Sequence, residues 1–301
     1  MIGVYGANGF IGRHLTRALV LRGHTVRTIS RQYDNAFMDE FYGRADIVKA
    51  DIRSPFDIIA SLNGLETAVQ LMSTSSPGLG NFQLIEDIED NVAPHVRFLQ
   101  AVRESRIKRV IFASSGGTVY GPDAQVPTPE SAPCFPISSH GLTKLFLEKY
   151  IHMFGKTDAL EYFILRISNP YGPDQTFKKR QGLIPAVMHH HRLGQPLPLY
   201  GGGEARRDYV YIDDVIDAFV MAIEANGSPK EILNIGSGRS RSVIEVIKAI
   251  EAVIEEDVAI NAVEARISDV TESRLDISKA KAVLNWSPTI SFEEGLKRTL
   301  T

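Results

Sequence analysis

The chain has 301 residues, 44% of them hydrophobic and 23% charged, with a formal net charge of -3. This length holds one large or two modest domains with a real core, and the charge offers no general attraction for nucleic acid or an anionic membrane. The single cysteine, Cys134, excludes an internal disulfide framework, and no apolar run is long enough to cross a bilayer.

The first apolar run, Ile2-Gly3-Val4-Tyr5, begins at residue 2 and leaves no room for a signal peptide, so the expected location is cytoplasmic. Next comes Gly6-Ala7-Asn8-Gly9-Phe10-Ile11-Gly12, and residues 13–21 continue with helical spacing. Strand, glycine turn and helix in that order form the phosphate-binding entry of a dinucleotide fold. Gly6 permits the tight turn, Gly9 lets the backbone approach a pyrophosphate, and Gly12 lets the helix lie close to the strand. The helix N-terminus then faces the negative charge.

Further apolar β-type runs fall at 25–29, 46–49, 68–72, 109–113 and 162–167, with helical patterns between them at 91–105 and 143–154. Such alternation predicts an α/β fold with a doubly wound parallel sheet. The unbroken run Val110-Ile111-Phe112-Ala113 suits a strand buried on both faces. After Arg166 the chain turns rich in Gly and Pro, at 169–174 and 194–203. A helical pattern at 213–224 and a strand at 232–235 are expected to rejoin the sheet. The reading is a dinucleotide-binding domain of 1–168 with 204–236, and a smaller C-terminal substrate lobe of 169–203 with 237–301. Ligands of such sheets sit at the carboxyl ends of the strands, which places function in the cleft between the lobes.

The second strand normally ends in an acid that holds the adenosine ribose. Here it ends Thr28-Ile29-Ser30-Arg31. A hydroxyl followed by a guanidinium suits a 2′-phosphate, which favours NADP over NAD as cofactor. Asp51 and Ile52, closing the third strand, are placed to bracket the adenine.

With these segments in view, the chain resembles the extended short-chain dehydrogenase/reductase family of nucleotide-sugar epimerases, dehydratases and reductases. The resemblance rests on Gly6 to Gly12, Asp51-Ile52, and residues 109–115 running into Thr118-Val119-Tyr120-Gly121. It continues through Lys144 in His140-Gly141-Leu142-Thr143-Lys144, Asn169-Pro170-Tyr171-Gly172-Pro173 and Arg207-Asp208-Tyr209-Val210-Tyr211-Ile212-Asp213-Asp214-Val215. The tail matches at Arg266, Asp269, Leu275-Asp276 and Leu284-Asn285-Trp286-Ser287-Pro288. The resemblance implies a nicotinamide-binding N-terminal lobe and a C-terminal lobe holding a nucleotide-diphosphate sugar. Arg207 and Arg266 match the arginines that grip the substrate diphosphate, Asp269 an acid on the nucleoside, and Asn169 an asparagine of the substrate loop. The family also implies a homodimer built on the helices at 91–105 and 143–154. Val92, Val96, Leu99 and Val102 either form that face or pack on the sheet. No metal is expected.

The chain departs from the family at its chemistry. The family uses Tyr-x-x-x-Lys on one helix face, with a nearby Ser or Thr. Here the tyrosine position is His140, Lys144 remains, and the Ser/Thr position is Gly116, leaving Ser115 and Thr118 as the nearest hydroxyls. In one reading His140 is the acid/base, since an imidazole near pKa 6.5 suits proton transfer at neutral pH, and Lys144 would hold it neutral. In a second, His140 is inert. In a third, Tyr171, Asp123 or Glu130 takes the role. The leading function is a 4-epimerase acting through a transient keto sugar; a keto-sugar reductase using NADPH is the runner-up, favoured by Arg31. A non-catalytic sensor of NADP(H) or a sugar nucleotide is the rival from another class. His189-His190-His191 point in different directions on a helix and cannot converge on one ion. Gly201-Gly202-Gly203 reads as a turn that positions Arg207, and Asp214 as structural.

Overall fold

The structure is a computed structural model that describes residues 1–74, 84–177, 182–264 and 270–301. From the N-terminus run β1 (Ile2–Tyr5), α1 (Phe10–Leu21), β2 (Val26–Ser30), α2 (Asn35–Phe41), β3 (Asp46–Lys49), α3 (Pro55–Leu62) and β4 (Thr67–Gln70). Then come α4 (Leu84–Asp87), a π-helical turn Ile88–Val92, α5 (Ala93–Arg103), β5 (Arg109–Ser115), α6 (Ser139–Thr157) and β6 (Glu161–Ile167). The remainder holds β7 (Asn169–Tyr171), α7 (Leu183–Arg192), β8 (Leu197–Tyr200), β9 (Arg206–Tyr211), α8 (Ile212–Glu224) and β10 (Lys230–Ile235). It closes with β11 (Ser240–Ser242), α9 (Val243–Ile254), β12 (Ile260–Val263), β13 (Glu272–Ser273), α10 (Ser278–Leu284) and α11 (Phe292–Leu300).

Two compact units emerge. The first comprises 1–115, 138–166 and 216–233; the second comprises 116–137, 167–215 and 234–301. The seven-stranded sheet runs β10-β6-β5-β4-β1-β2-β3. Pairings among β3, β2, β1, β4 and β5 are all parallel. This is the doubly wound α/β sheet expected, with its order reversing between β1 and β4, where such sheets bind ligands. Burial explains the strand sequences: all of β1 is buried, as are the first six residues of β5. Tyr5, Leu65, Phe98, Phe112, Leu147 and Ile164 form the centre of the core.

One buried cation holds a helix end in this unit. Arg109, at the start of β5, donates to the carbonyls of Ala222 and Ile223 in the last turn of α8, and to those of Ala225 and Gly227 just past it. It also pairs with Glu161 at 2.8 Å. A guanidinium there satisfies carbonyls that the helix leaves without partners.

In the second unit β9 carries β11, β13 and β7 around it, while β8 and β12 form a separate parallel pair. The segments 169–174 and 194–203 are therefore not turns throughout, because each contributes a strand. Pro170 and Pro198 lie in short strands with one edge unpaired among the described residues, where a missing N–H costs little. Gly201, Gly202 and Gly203 do form a tight turn, all with positive φ. Asp208 on β9 is fully buried and accepts from Ser237 N–H at 2.7 Å, Ser237 Oγ at 2.8 Å, Gly238 N–H at 3.2 Å and Leu275 N–H at 3.3 Å. Asp214 accepts from Thr289 and Ile290, and its carbonyl takes the indole N–H of Trp286 at 2.8 Å. Asp214 is thus structural, as expected.

Candidate functional site

The N-terminal turn closes tightly. Gly6 has φ +87, its N–H donates to the Ile29 carbonyl at 2.8 Å, and Gly9 N–H donates to the Gly6 carbonyl at 3.0 Å. A Cβ on Gly12 would lie 2.3 Å from the Gly6 oxygen and 2.7 Å from Ala7 Cα, and one on Gly9 3.1 Å from the Gly6 oxygen. Phe10 and Ile11 open α1, which has no capping side chain and no acid in its first turn. Its bare amides and the positive end of its dipole fit a pyrophosphate. Asn8 Oδ1 accepts from Arg13 at 3.4 Å, and Arg13 pairs with Asp34 at 2.6 Å.

At the carboxyl end of β2, Ser30 closes the strand and Arg31 is exposed, without a hydrogen bond or ion pair among the described residues. Asp34, the next acid along, caps α2 through the Phe37 N–H. Asp51 is bound by Arg53, which holds its carboxyl below the usual carboxylate range, and Ile52 is packed in the core.

His140 and Lys144 stand one turn apart at the start of α6, capped by Ser138 through the Gly141 N–H. Lys144 Nζ donates to the Ala113 carbonyl at 2.8 Å and lies 4.9 Å from the Phe112 ring centroid. Burial is the main cause that brings its pKa down to about 8, with Glu148 and Asp87 pulling the other way. Burial, then the Lys144 charge, pushes His140 down to about 3, so the imidazole is neutral at pH 7. Ser115, at the end of β5, is half-buried and makes no side-chain hydrogen bond among the described residues.

The sequence reading missed His95 on α5 and Asp87 on α4, both buried beneath this helix. No signal in the sequence marks them, because 44 or more residues separate each from α6. Among the described residues no hydrogen bond of normal geometry closes on either His95 ring nitrogen. Burial and Lys144 bring its pKa to about 4, although the nearby carbonyls of Asn91 and Met72 favour its proton. Both imidazoles titrate near 6.5 in the unfolded chain and lower in the fold. Between those values the unfolded chain binds more protons, so this stability is present above pH 6.5 and is lost as pH falls towards 4. Each histidine contributes about 1.4 kcal/mol per pH unit in that window. Urea denaturation at pH 7, 6 and 5 should show His140→Phe losing stability less steeply than the wild type by that slope. Parallel curves would refute the assignment of a neutral buried imidazole.

In the second unit, Thr118 Oγ1 is buried and has no hydrogen-bond partner among the described residues. Asn169 donates from its amide to the Asp208 carbonyl at 2.9 Å. Arg207 donates to the Val270 carbonyl at 2.6 Å, while Asp208 on the same strand bonds to Ser237 and Leu275. Arg266 and Asp269 lie outside the described residues. Of the other acid/base candidates, Tyr171 is buried and donates to the Phe292 carbonyl, and burial pushes its phenol up. Glu130 accepts from the Asn234 N–H, and Asp123 is exposed. His189 and His190 stack near Phe177, whereas His191 pairs with Glu256 at 3.1 Å, so the three histidines diverge.

Residues 2–236 match the model of the NAD dependent epimerase/dehydratase family. The chain is 33% identical to a putative UDP-glucose 4-epimerase of Methanocaldococcus jannaschii over 302 residues, covering 100% of this chain and 97% of that one. It is 33% identical to the dTDP-4-dehydro-6-deoxyglucose reductase of Escherichia coli over 242 residues, 80% of this chain and 76% of that one. Its fold is similar to a crystal structure of UDP-glucose 4-epimerase with UDP-glucose from Thermotoga maritima, with a TM-score of 0.92, 31% identity, and coverage of 99% and 96%. Among the described residues no helix is long and apolar enough to cross a membrane. The glycine turn, the parallel sheet and these likenesses agree: the chain belongs to the NAD dependent epimerase/dehydratase family.

Proposed function

We propose that this chain is a nucleotide-sugar 4-epimerase in which His140 takes the place of the family's tyrosine. The observation that carries the reading is the buried pair on α6, where a neutral imidazole stands one turn from the lysine. When bound, the nicotinamide supplies the acceptor and donor of hydride. Lys144 holds the nicotinamide ribose. His140 takes the proton from the sugar hydroxyl as the carbon bearing it gives up hydride, and would return that proton to the keto oxygen when hydride came back to the opposite face of the sugar. A fold that keeps the imidazole unprotonated secures the accepting form at pH 7, at the cost of low proton affinity. Either Ser115 or Thr118, each with unused hydrogen-bonding capacity among the described residues, supplies the hydroxyl absent at Gly116. Asn169, Arg207, Arg266 and Asp269 hold the diphosphate sugar.

Arg31 favours a second reading, a keto-sugar reductase using NADPH. Its guanidinium is exposed and Asp34 is committed to Arg13, so this end of β2 offers a cation for a 2′-phosphate. A third reading, a non-catalytic binding protein, arises from His140 and Gly116. Incubation with UDP-, dTDP- and GDP-sugars, with and without NADPH, separates the three by mass analysis of products. Turnover without added cofactor supports the epimerase, stoichiometric NADPH oxidation the reductase, and no change in any combination the sensor.

We also propose a homodimer, on a face to which Leu99 and Val102 do not contribute, whereas Val92 and Val96 stay half-buried. Leu99 and Val102 are in the core. Exposed apolar residues in this region include Leu142, Phe146 and Met153 on α6, and Leu84, Ile85 and Ile88 beside it. Sedimentation of a Phe146→Glu variant as monomer, against a wild-type dimer, tests this; a wild-type monomer would sink it.

A further inference from the structure

Buried charge beneath α6 balances in an uneven way. Lys144, Arg166, Glu148 and Asp87 are all at most 6% exposed. Glu148 is already matched, since Arg166 grips it with its Nε at 3.0 and 3.2 Å and its Nη2 at 2.6 Å, and Ser114 Oγ donates to it as well. Among the described residues Asp87 is matched only by neutral dipoles. It accepts from Ser139 Oγ, from Thr143 Oγ1 at 3.2 Å and from Asn91 Nδ2 at 2.7 Å. Two of those donors flank the functional pair, for Ser139 precedes His140 and Thr143 precedes Lys144. Asn91 in turn holds Thr74, donating to its hydroxyl at 2.8 Å and accepting from its N–H at 2.8 Å. Lys144, meanwhile, bonds to a neutral carbonyl and faces the Phe112 ring.

We propose that Asp87 is the counter-ion of Lys144 and a positioning residue for the His140–Lys144 turn, fixing both the charge of the lysine and the seat of the helix that carries it. An ammonium buried in apolar surroundings is costly unless an anion compensates it. The groups that face Lys144 are Asp87 from α4, His95 from α5, the Ala113 carbonyl and Phe112 from β5, and His140 and Glu148 from α6. Both imidazoles are neutral at pH 7, and Glu148, the stronger of the two carboxylate pulls on the lysine, is shared with Arg166 on β6. Asp87 is the other carboxylate that pulls on the lysine, bonded to Thr143 beside that lysine and joined by no guanidinium or ammonium hydrogen bond among the described residues. The functional half of the inference rests on Lys144 serving the nicotinamide ribose; the electrostatic half does not.

Two measurements on the full chain test it, with Asp87→Asn against the wild type. In the first, the Lys144 ammonium is titrated by NMR on lysine-labelled protein without cofactor. It should deprotonate about one pH unit lower, or more, in the variant. Asp87→Glu should restore the wild-type value, and Ser139→Ala, which leaves the charge in place, should not move it. In the second, NAD and NADP binding is measured across pH 6 to 10, and the alkaline loss of affinity should move down by the same interval. Should Asp87→Asn be too unstable at pH 7, denaturation at pH 7 and 9.5 decides. Its deficit should shrink once the stranded ammonium can lose its proton, whereas a deficit equal at both pH values overturns the proposal. An unmoved Lys144 titration in folded variant also overturns it. Failure of the wild type to bind either nucleotide would instead defeat the assignment of the cofactor site.

Discussion

Replacing His140 by Phe should slow single-turnover hydride transfer by about 10²- to 10⁴-fold, the usual contribution of a positioned acid/base. Cofactor binding should stay near the wild-type level, because the lysine one turn on keeps its bond to the Ala113 carbonyl. The pH dependence carries a second signature. A base must be unprotonated to act, and His140 lies at about 3. The wild-type rate should therefore hold level from pH 7, below the range in which Lys144 loses its proton, down to about 5, where an unperturbed imidazole would already have lost most of its activity. An acid limb near pH 6.5, or a variant as fast as the wild type, would remove His140 from the chemistry. Rapid-mixing measurement at saturating sugar nucleotide isolates the step from product release.

Gly12→Ala should reduce nucleotide affinity by about a hundredfold, or about 2.7 kcal/mol. Alanine is the better helix former by about 1 kcal/mol, which alone would stabilise α1. Sterics decide against it. The new methyl would sit 2.3 Å from one backbone oxygen, 2.7 Å from a backbone carbon and 2.8 Å from a second oxygen, and no side chain can yield to make room. The helix must lift from β1, carrying its amides away from the pyrophosphate. Titration of NAD and NADP by calorimetry measures the loss. Wild-type affinity in the variant would show that this turn does not hold the phosphates.

What could be read in the sequence depends on how local each signal is. The glycine turn and β1 are contiguous, and β1 and β3 appear at the bounds expected. The strands expected at 68–72 and 109–113 exist but end one to two residues away from those bounds, where side-chain pattern and backbone pairing diverge. Pairing across sequence distance is not legible. Asp87 joins Ser139 and Thr143 over more than fifty residues, and His95 meets Lys144 across α5 and α6. Neither residue belongs to a motif. Leu99 and Val102 carry a helical stripe that fits a core face as well as a dimer face, and only burial chooses between them. In the C-terminal unit, proline and glycine mask β7 and β8, since short strands in small sheets tolerate residues that a central strand rejects.

The chain's one tryptophan has a practical bearing. Trp286 is shielded from water and anchored by its indole N–H to Asp214, a residue of the same C-terminal unit. Its emission is accordingly an optical report on that unit, while circular dichroism registers the helices of both. A melt monitored with the two probes reads out whether the halves come apart as one cooperative body or in succession.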